Sequence, residues 1–269
     1  MRPFHATTTP SRSWRALGPF LMAVALLCLG DAAQAQAAAG TVTRLSGLLT
    51  ARRDDGSTRL LAARSVVHEG ETLVTGTGTY MEVQFLDDGT LMMGPDSEVQ
   101  VTRYSWNPDN PAADRVLLEL QRGTLRSETG RLGKRNHDAI RIKVPGGQIE
   151  VHGTTFVAQS VPTPPVAGPI SPGALVPAYT PTPTPVPTPT TLAPGLYVQV
   201  IDGLITVSNP SGTTNFAAGQ FGYTASVQQP PVVVPANPAM QFTPPPAFSA
   251  PPTGSSAANK SGTVDCEVR

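Results

Sequence analysis

Short runs in which apolar and polar residues alternate fill the middle of the chain. Within Met81–Phe85, the polar residues Glu82 and Gln84 alternate with apolar ones, which places the two kinds of side chain on opposite faces of a strand. Comparable runs begin at Gly40 and recur along the chain, and each ends near a Gly, Asp or Asn turn signal. No segment repeats with a helical period for long enough to predict a helix. The pattern predicts an all-β domain, and a sandwich, a barrel or a solenoid would all fit it.

Glycine-containing motifs mark the predicted ends of these strands. Asp54-Asp55-Gly56, Asp88-Gly89 and Asp202-Gly203 each separate two strand candidates, and glycine readily adopts the positive φ of a tight hairpin. Arg122-Gly123 and Pro145-Gly146-Gly147 end two further runs. All five motifs are therefore predicted to be turns.

Proline is concentrated in two stretches that interrupt the pattern. Of the 29 prolines, 12 lie between Pro162 and Pro194 and 9 between Pro230 and Pro252. Proline fixes φ and lacks a backbone donor, so these stretches predict polyproline II or disorder. We therefore predict a β domain at residues 38–160 that is completed by closing strands at 195–226. A proline-rich insert at 161–194 interrupts the domain, and a disordered proline-rich tail at 227–269 follows it.

The first 37 residues have the pattern of a secretory signal peptide. A basic start that includes Arg12 and Arg15 precedes the apolar run Ala16–Gly30, and small-x-small cleavage motifs end at Ala35 and Ala37. An uncleaved anchor is the alternative, but the apolar run is shorter than the ~20 residues that a span needs. We expect a periplasmic or secreted protein with no transmembrane segment in the mature chain. Cys28 would leave with the signal, so the remaining cysteine, Cys266, has no intramolecular partner.

The overall charge gives no indication of a nucleic-acid partner. Lys and Arg number 19 and Asp and Glu also number 19, so there is no net field to attract a polyanion. One local basic cluster could still bind an anionic envelope polymer, and it contains Arg126, Arg131, Lys134, Arg135 and His137. A solvated, mobile loop is the alternative interpretation of this cluster, and we favour it.

Catalytic and metal-binding patterns are not evident. No pair among His5, His68, His137 and His152 has metal-ligand spacing with another His or Cys. Asp87-Asp88 could be read as paired carboxylates, but neighbouring residues of a strand point to opposite sides and Gly89 follows, so a turn fits better. The sequence contains no nucleophile elbow, phosphate loop or dinucleotide fingerprint. We predict a protein that is not an enzyme, with no catalytic residues, no cofactor and no metal.

The ordered set of these motifs resembles the FecR-type domain over residues 40–224, with the insert excluded. Each motif is weak alone, whereas the order is fairly specific: Glu69-Gly70, Val83–Thr90, Leu91–Ser97, Leu120–Gly123, Val144–Gly147, Val151–Phe156, Gly203–Val207 and Ala218–Gln220. The resemblance implies a β-solenoid-like periplasmic domain. It also implies an interior filled by Val151, Phe156 and Val207, with Gly153 and Gly219 where the backbone turns or approaches a neighbouring coil.

The resemblance suggests two functions. The regulatory form of the family joins this domain to a membrane span and to a cytoplasmic segment that controls a sigma factor in response to an iron-siderophore receptor. Here only a short basic stretch precedes the predicted signal, which disfavours direct control of transcription. We therefore expect a non-catalytic binding or scaffolding protein of the cell envelope, whose partner is an envelope protein or a polysaccharide. The alternative is a periplasmic sensory component that acts through a separate membrane protein.

Overall fold

The computed structural model describes residues 36–163, 192–237, 240 and 242–249. Most of the predicted signal and insert, together with His5, Cys28 and Cys266, lies outside the described residues. The described residues from Ala37 onward belong to one compact unit. Its strands are β1 Ala38–Ser46, β2 Leu49–Arg52, β3 Thr58–Leu61, β4 Val66–His68, β5 Thr72–Thr75, β6 Tyr80–Phe85, β7 Thr90–Met93, β8 Glu98–Ser105, β9 Arg115–Glu128, β10 Ile140–Val144, β11 Gly147–Val161, β12 Gly195–Asn209, β13 Gly212–Ala217, β14 Phe221–Thr224 and β15 Val232–Val234. A 3-10 turn at Pro111–Ala113 and the short helices α1 Arg131–Arg135 and α2 Pro246–Ser249 complete the described elements.

The strands form one open sheet whose main path runs from β15 to β4. The all-β prediction is therefore confirmed. Strands β9 and β10 pair in parallel, and every other pairing among the described strands is antiparallel. A parallel β-helix would stack its coils through parallel pairs, so this pattern does not confirm the solenoid.

Three long strands bend at glycines in the left-handed region. Gly123 in β9, Gly153 in β11 and Gly203 in β12 have φ of 85°, 67° and 85°. Before its glycine, β9 pairs with β8 and β10, and after it with β7 and the second half of β11. Strand β12 likewise pairs with β14 before its glycine and with β13 after it. The bends therefore divide the sheet into a first portion, around β8, β10 and β13, and a second portion, around β1, β6, β7 and β14.

Both portions contribute to a single hydrophobic core. Its members come from β8, β9 and β10 as well as from β1, β6 and β7. Val151, Phe156 and Val207 are 1%, 0% and 1% exposed, so their predicted interior position is confirmed. The alternation in β6 is confirmed too, because Met81, Val83 and Phe85 are buried while Gln84 is exposed.

Some glycine motifs are turns and others are bends within strands. Asp54-Asp55-Gly56 connects β2 to β3, Asp88-Gly89 connects β6 to β7, and Pro145-Gly146 connects β10 to β11. The predicted turns at Arg122-Gly123 and Asp202-Gly203 are wrong. At both places the strand continues, because the residues on either side remain hydrogen-bonded to neighbouring strands.

The residues on either side of the predicted insert pair with each other. Strands β11 and β12 run antiparallel and stay in register up to Ser160 opposite Leu196 and Val161 opposite Gly195. Strand β12 then places Leu196, Val198 and Val200 in the core. The segment after the insert therefore forms part of the same sheet as the segment before it.

The predicted disordered tail is wrong for part of its length. Val232–Val234 forms β15, which pairs with β14, and both Met240 and Phe248 are buried, at 4% and 6% exposure. The prolines beside these residues do not prevent order, because a proline next to an edge strand costs no ladder hydrogen bond. The burial of apolar side chains between the prolines stabilises the ordered positions.

Candidate functional site

A buried carboxylate lies at the position of the Glu69-Gly70 motif. Glu71 has no exposed side-chain surface, and it accepts hydrogen bonds from Arg59 Nε and Nη2 at 3.0 and 2.7 Å. The backbone N–H of His68 donates to the same carboxylate at 3.0 Å, and Arg53 lies 3.5 Å away. Burial would raise the pKa of Glu71, but hydrogen bonds from Arg59 and His68 and the charges of both outweigh it, so the pKa is lowered. The arrangement ties β3 and β4 to the start of β5.

Asp87, one member of the Asp87-Asp88 pair, is an internal hydrogen-bond acceptor. Its carboxylate accepts the Tyr104 hydroxyl at 2.9 Å and the backbone N–H groups of Leu132 and Gly89 at 3.2 and 3.3 Å. Burial, with the adjacent Asp87 charge and hydrogen bond, raises the pKa of Tyr104 above its usual range. Asp88 instead points outward and forms an exposed ion pair with Arg131 at 2.9 Å. The two carboxylates thus have separate structural contacts.

The basic cluster is divided between a packed corner and exposed positions. Arg135 forms two 2.7 Å contacts with the buried carboxylate of Asp114, and its guanidinium lies 4.0 Å from the centre of the Trp106 ring. The prediction of a mobile loop is wrong for residues 131–135, which form helix α1, because these contacts fix it. Lys134 and His137 are exposed.

The described histidines have different surroundings and are not brought together. His68 lies 3.5 Å from Glu71, and His152 Nε2 lies 3.3 Å from the Thr206 hydroxyl. His137 lies beside Gly153. Within residues 36–163, 192–237, 240 and 242–249, no group of three or more His, Cys, Asp or Glu side chains is arranged to hold a metal ion.

An apolar groove lies where β12 begins after the predicted insert. It has a volume of about 400 Å³ and is lined by Ala193, Tyr197, Tyr223, Val234, Pro235, Ala236, Asn237 and Met240. The two tyrosine rings lie 4.7 Å apart, and their hydroxyls donate to the carbonyls of Ala193 and Pro194. These hydrogen bonds hold the rings in place, so the aromatic wall of the groove is preformed.

The edge strand β15 lies next to this groove. Val232 and Val233 are 47% and 54% exposed, and β14 is the one described strand that pairs with β15. The outer edge of β15 therefore keeps backbone groups that an added strand could pair with. We call the groove and β15 together the candidate binding surface.

A second groove has a more polar lining. It has a volume of about 550 Å³ and is lined by residues of β9, β10 and β11, among them Glu119, Gln121, Lys143 and Gln148. Its lining contains no aromatic ring. It lacks the stacking platform that the first groove offers to a ligand.

The candidate binding surface is not among the sites predicted from the sequence. Two signals for it were present, namely the tyrosines within the alternating runs of β12 and β14 and three consecutive valines at residues 232–234. Such a β-branched run favours a strand. The surrounding prolines led to the prediction of disorder instead.

Comparison with protein families gives a match within the described sheet. The family model described as FecR protein matches residues 71–165. Residues 71–165 are therefore similar to the FecR family. The match extends from β5 to the end of β11, so Glu71 with its buried carboxylate and the Asp87–Tyr104 contact both lie within the matched residues.

Two solved structures share limited similarity with the chain. One, titled "Cell surface anchoring domain", is 32% identical over 23% of this chain and 83% of its own, with a TM-score of 0.23. The other, a putative anti-sigma factor from Parabacteroides distasonis ATCC 8503, is 12% identical with a TM-score of 0.38, and the match covers 61% of this chain and 58% of that protein. The chain thus spans less than two thirds of the second protein, and both TM-scores are too low to assign its fold. No curated protein matches the chain.

No helix among the described residues is both long enough and apolar enough to cross a membrane.

Proposed function

We propose that this protein is an exported, non-catalytic binding or scaffolding protein of the cell envelope. The FecR domain match at residues 71–165 is the observation that carries the proposal. The signal-like N-terminus supports export. Its partner would be an envelope protein that contacts the candidate binding surface, because a preformed aromatic groove beside a free strand edge suits an extended peptide segment.

The positions of the candidate catalytic groups support a structural role for them. Asp87 is buried within a hydrogen-bond network, Asp88 pairs with Arg131, and His152 contacts Thr206. None of these three lines either of the two grooves described above, where a nucleophile and its base would face a substrate.

In-cell photo-crosslinking can test the proposal. A photoreactive amino acid at Val233 should give an adduct with a defined envelope protein, whereas the same amino acid at exposed Thr213, on edge strand β13, should not. An adduct pattern that is the same at both positions, or no adduct at either, would argue against the candidate binding surface.

A sensory component of an iron-uptake system is the second candidate function, and the FecR domain itself favours it. It would act through a separate membrane protein. Neighbouring genes for a sigma factor and an outer-membrane receptor would support the sensory function. Their absence would contradict it and would favour the scaffolding function.

We also propose that the FecR domain winds in a solenoid-like way. The bends support this, because Gly123, Gly153 and Gly203 each lie where a strand passes from one portion of the sheet to the other. Such a winding would differ from a parallel β-helix, because nearly all of its strand pairs are antiparallel.

A further inference from the structure

The described residues 240 and 242–249 lie across the outer side of the second portion, and we call the stretch 240–249 the C-terminal segment. Phe242 meets Tyr80 edge to face, with ring centres 6.1 Å apart, and Phe248 lies 6.2 Å from the same ring. The Arg44 guanidinium donates to the Phe248 carbonyl at 2.5 Å. The segment therefore makes both aromatic and hydrogen-bond contacts with the sheet.

The surface beneath it spans neighbouring strands and is a continuous binding face. It contains Arg44 on β1, Tyr80 on β6, Gly94 after β7, Thr124 on β9 and Gln159 on β11. We call these residues the segment-binding face. At Gly94 a Cβ atom would stand only 3.3 Å from the Phe242 ring, so the absence of a side chain there makes room for the ring.

The buried part of the C-terminal segment is separate from the main core. Met240 and Phe248 are buried, but neither belongs to the cluster that fills the space between the two portions. The segment is thus a ligand-like addition to a sheet that already has its own core.

The composition of the segment suits this kind of contact. Thr243-Pro244-Pro245-Pro246 separates Phe242 from Phe248, and prolines restrict φ before binding, so little backbone entropy is lost when the segment docks. The aromatic residues at its two ends supply the apolar area. The face therefore recognises a proline-rich segment with aromatic ends.

We propose that the segment-binding face is a self-recognition site that also accepts the C-terminal segment of a second copy of this chain. The same contacts would form within one chain or between two, so exchange needs no new complementarity. The connection from β15 is short, at residues 235–239, and contains Pro235 and Pro238. A short hinge connection favours exchange of a segment between two copies. The proposal is independent of the proposed function.

A peptide of residues 240–249 with a fluorescent label provides the first test, with the full chain as receptor. The variant Phe242→Ala/Phe248→Ala weakens the chain's own segment and leaves the face intact. Because a tethered competitor acts at an effective concentration of about millimolar, the peptide should bind this variant at least about tenfold more tightly than it binds the unsubstituted chain. Adding Tyr80→Ala to the variant should abolish binding. Circular dichroism checks that each variant is folded, and Phe242→Ala alone replaces the double variant if that one is not.

Sedimentation of the unsubstituted chain over a range of concentrations provides the second test. A dimer should form as the concentration rises, and the Phe242→Ala/Phe248→Ala variant should remain a monomer. A peptide that binds regardless of Tyr80 would overturn the proposal. So would an unsubstituted chain that stays monomeric even after it is refolded at high concentration.

Discussion

At the scale of single residues, the buried acidic groups are held by dedicated partners. Glu71 faces Arg59, Asp114 faces Arg135, and Asp87 faces Tyr104 and backbone N–H groups. Each joins segments that are distant in sequence. An isolated carboxylate would be costly to bury, so these contacts are needed for the fold to form as it does.

Glu71→Gln should lower the free energy of unfolding by about 2 kcal/mol at pH 7, because it removes the charge of a buried carboxylate from Arg59, which is itself partly exposed to screening solvent. The pKa of Glu71 is lowered in the folded state. Its stabilising effect is therefore complete above the ordinary pKa of a glutamate and is lost as the pH falls through the folded value. Urea unfolding at pH 7 and pH 3.5 should show a difference from the unsubstituted protein that shrinks at the lower pH.

Glu128→Gln is the matched control, since Glu128 is 56% exposed and lies 4.0 Å from Arg126. An exposed pair of this kind contributes little, and this variant should change stability by less than about 0.5 kcal/mol. Equal effects for the two substitutions would contradict the role assigned to Glu71.

Burial of these carboxylates could not be predicted from the sequence. Asp87 and Asp88 are adjacent and chemically identical, yet Asp87 is 3% exposed and Asp88 lies outside. What separates them is Tyr104 and helix α1, which approach from distant parts of the chain. The apolar alternation of β6, by contrast, was predicted correctly, since it depends only on local sequence.

At the scale of elements, the bends in β11 and β12 lie against each other. A Cβ atom at Gly203 would stand 2.7 Å from the Gly153 carbonyl oxygen and 3.0 Å from Thr154 Cα. Gly203 is therefore required both for its φ and for the close approach of two backbones. Gly219 has a similar φ of 81°, but nothing lies within 4 Å of its missing Cβ. Of the two roles that the resemblance implied for such a glycine, a turn or a close approach, Gly219 has the turn.

This contrast predicts different costs for the same substitution. Gly219→Ala should cost about 1 kcal/mol, the strain of a left-handed alanine. Gly203→Ala should cost about 3 kcal/mol or more, because it adds a clash with the backbone of β11 to a similar strain. Thermal or urea unfolding of the two variants measures the difference. Equal costs would show that the backbones of β11 and β12 can separate at the bend without penalty.

Turns and bends have the same local signature. Asp88-Gly89 and Asp202-Gly203 are both an Asp before a Gly between alternating runs, and only the first is a hairpin. Strand β12 continues through Gly203 because β11 and β13 pair with its second half. A few neighbouring residues do not show which distant strands will pair with them. The hairpin at Asp88-Gly89 could therefore be predicted from local sequence, and the bend at Gly203 could not.

At the scale of the whole molecule, the pairing of β11 with β12 makes a prediction about the insert. Because Val161 pairs with Gly195, the intervening residues 164–191 can be replaced by a short Gly/Ser linker with both strands kept. The closure entropy of a loop depends only weakly on its length, so the melting temperature and the cooperativity of unfolding should change little. Differential scanning calorimetry measures both.

Truncation after Ser160 is the contrasting variant. It removes Leu196, Val198, Val200, Ile205, Val207 and Phe216, all of which are buried in the core. This fragment should therefore not unfold cooperatively. A stable and cooperative 38–160 fragment would show that the strands after the insert are not needed for the core.

The position of the insert at the end of the β11–β12 pair also determines how the sheet would respond to a mechanical pull. A force on the insert would pull β11 and β12 in the same direction, parallel to their own axes. Strand β9 on one side and β14 on the other would then be loaded in shear. Their hydrogen bonds lie across the strand direction, so many would have to break at once, rather than one after another as in peeling. An envelope structure that pulled on the insert would therefore load the ladders of β9 with β11 and of β12 with β14 in shear and would not peel their strands apart.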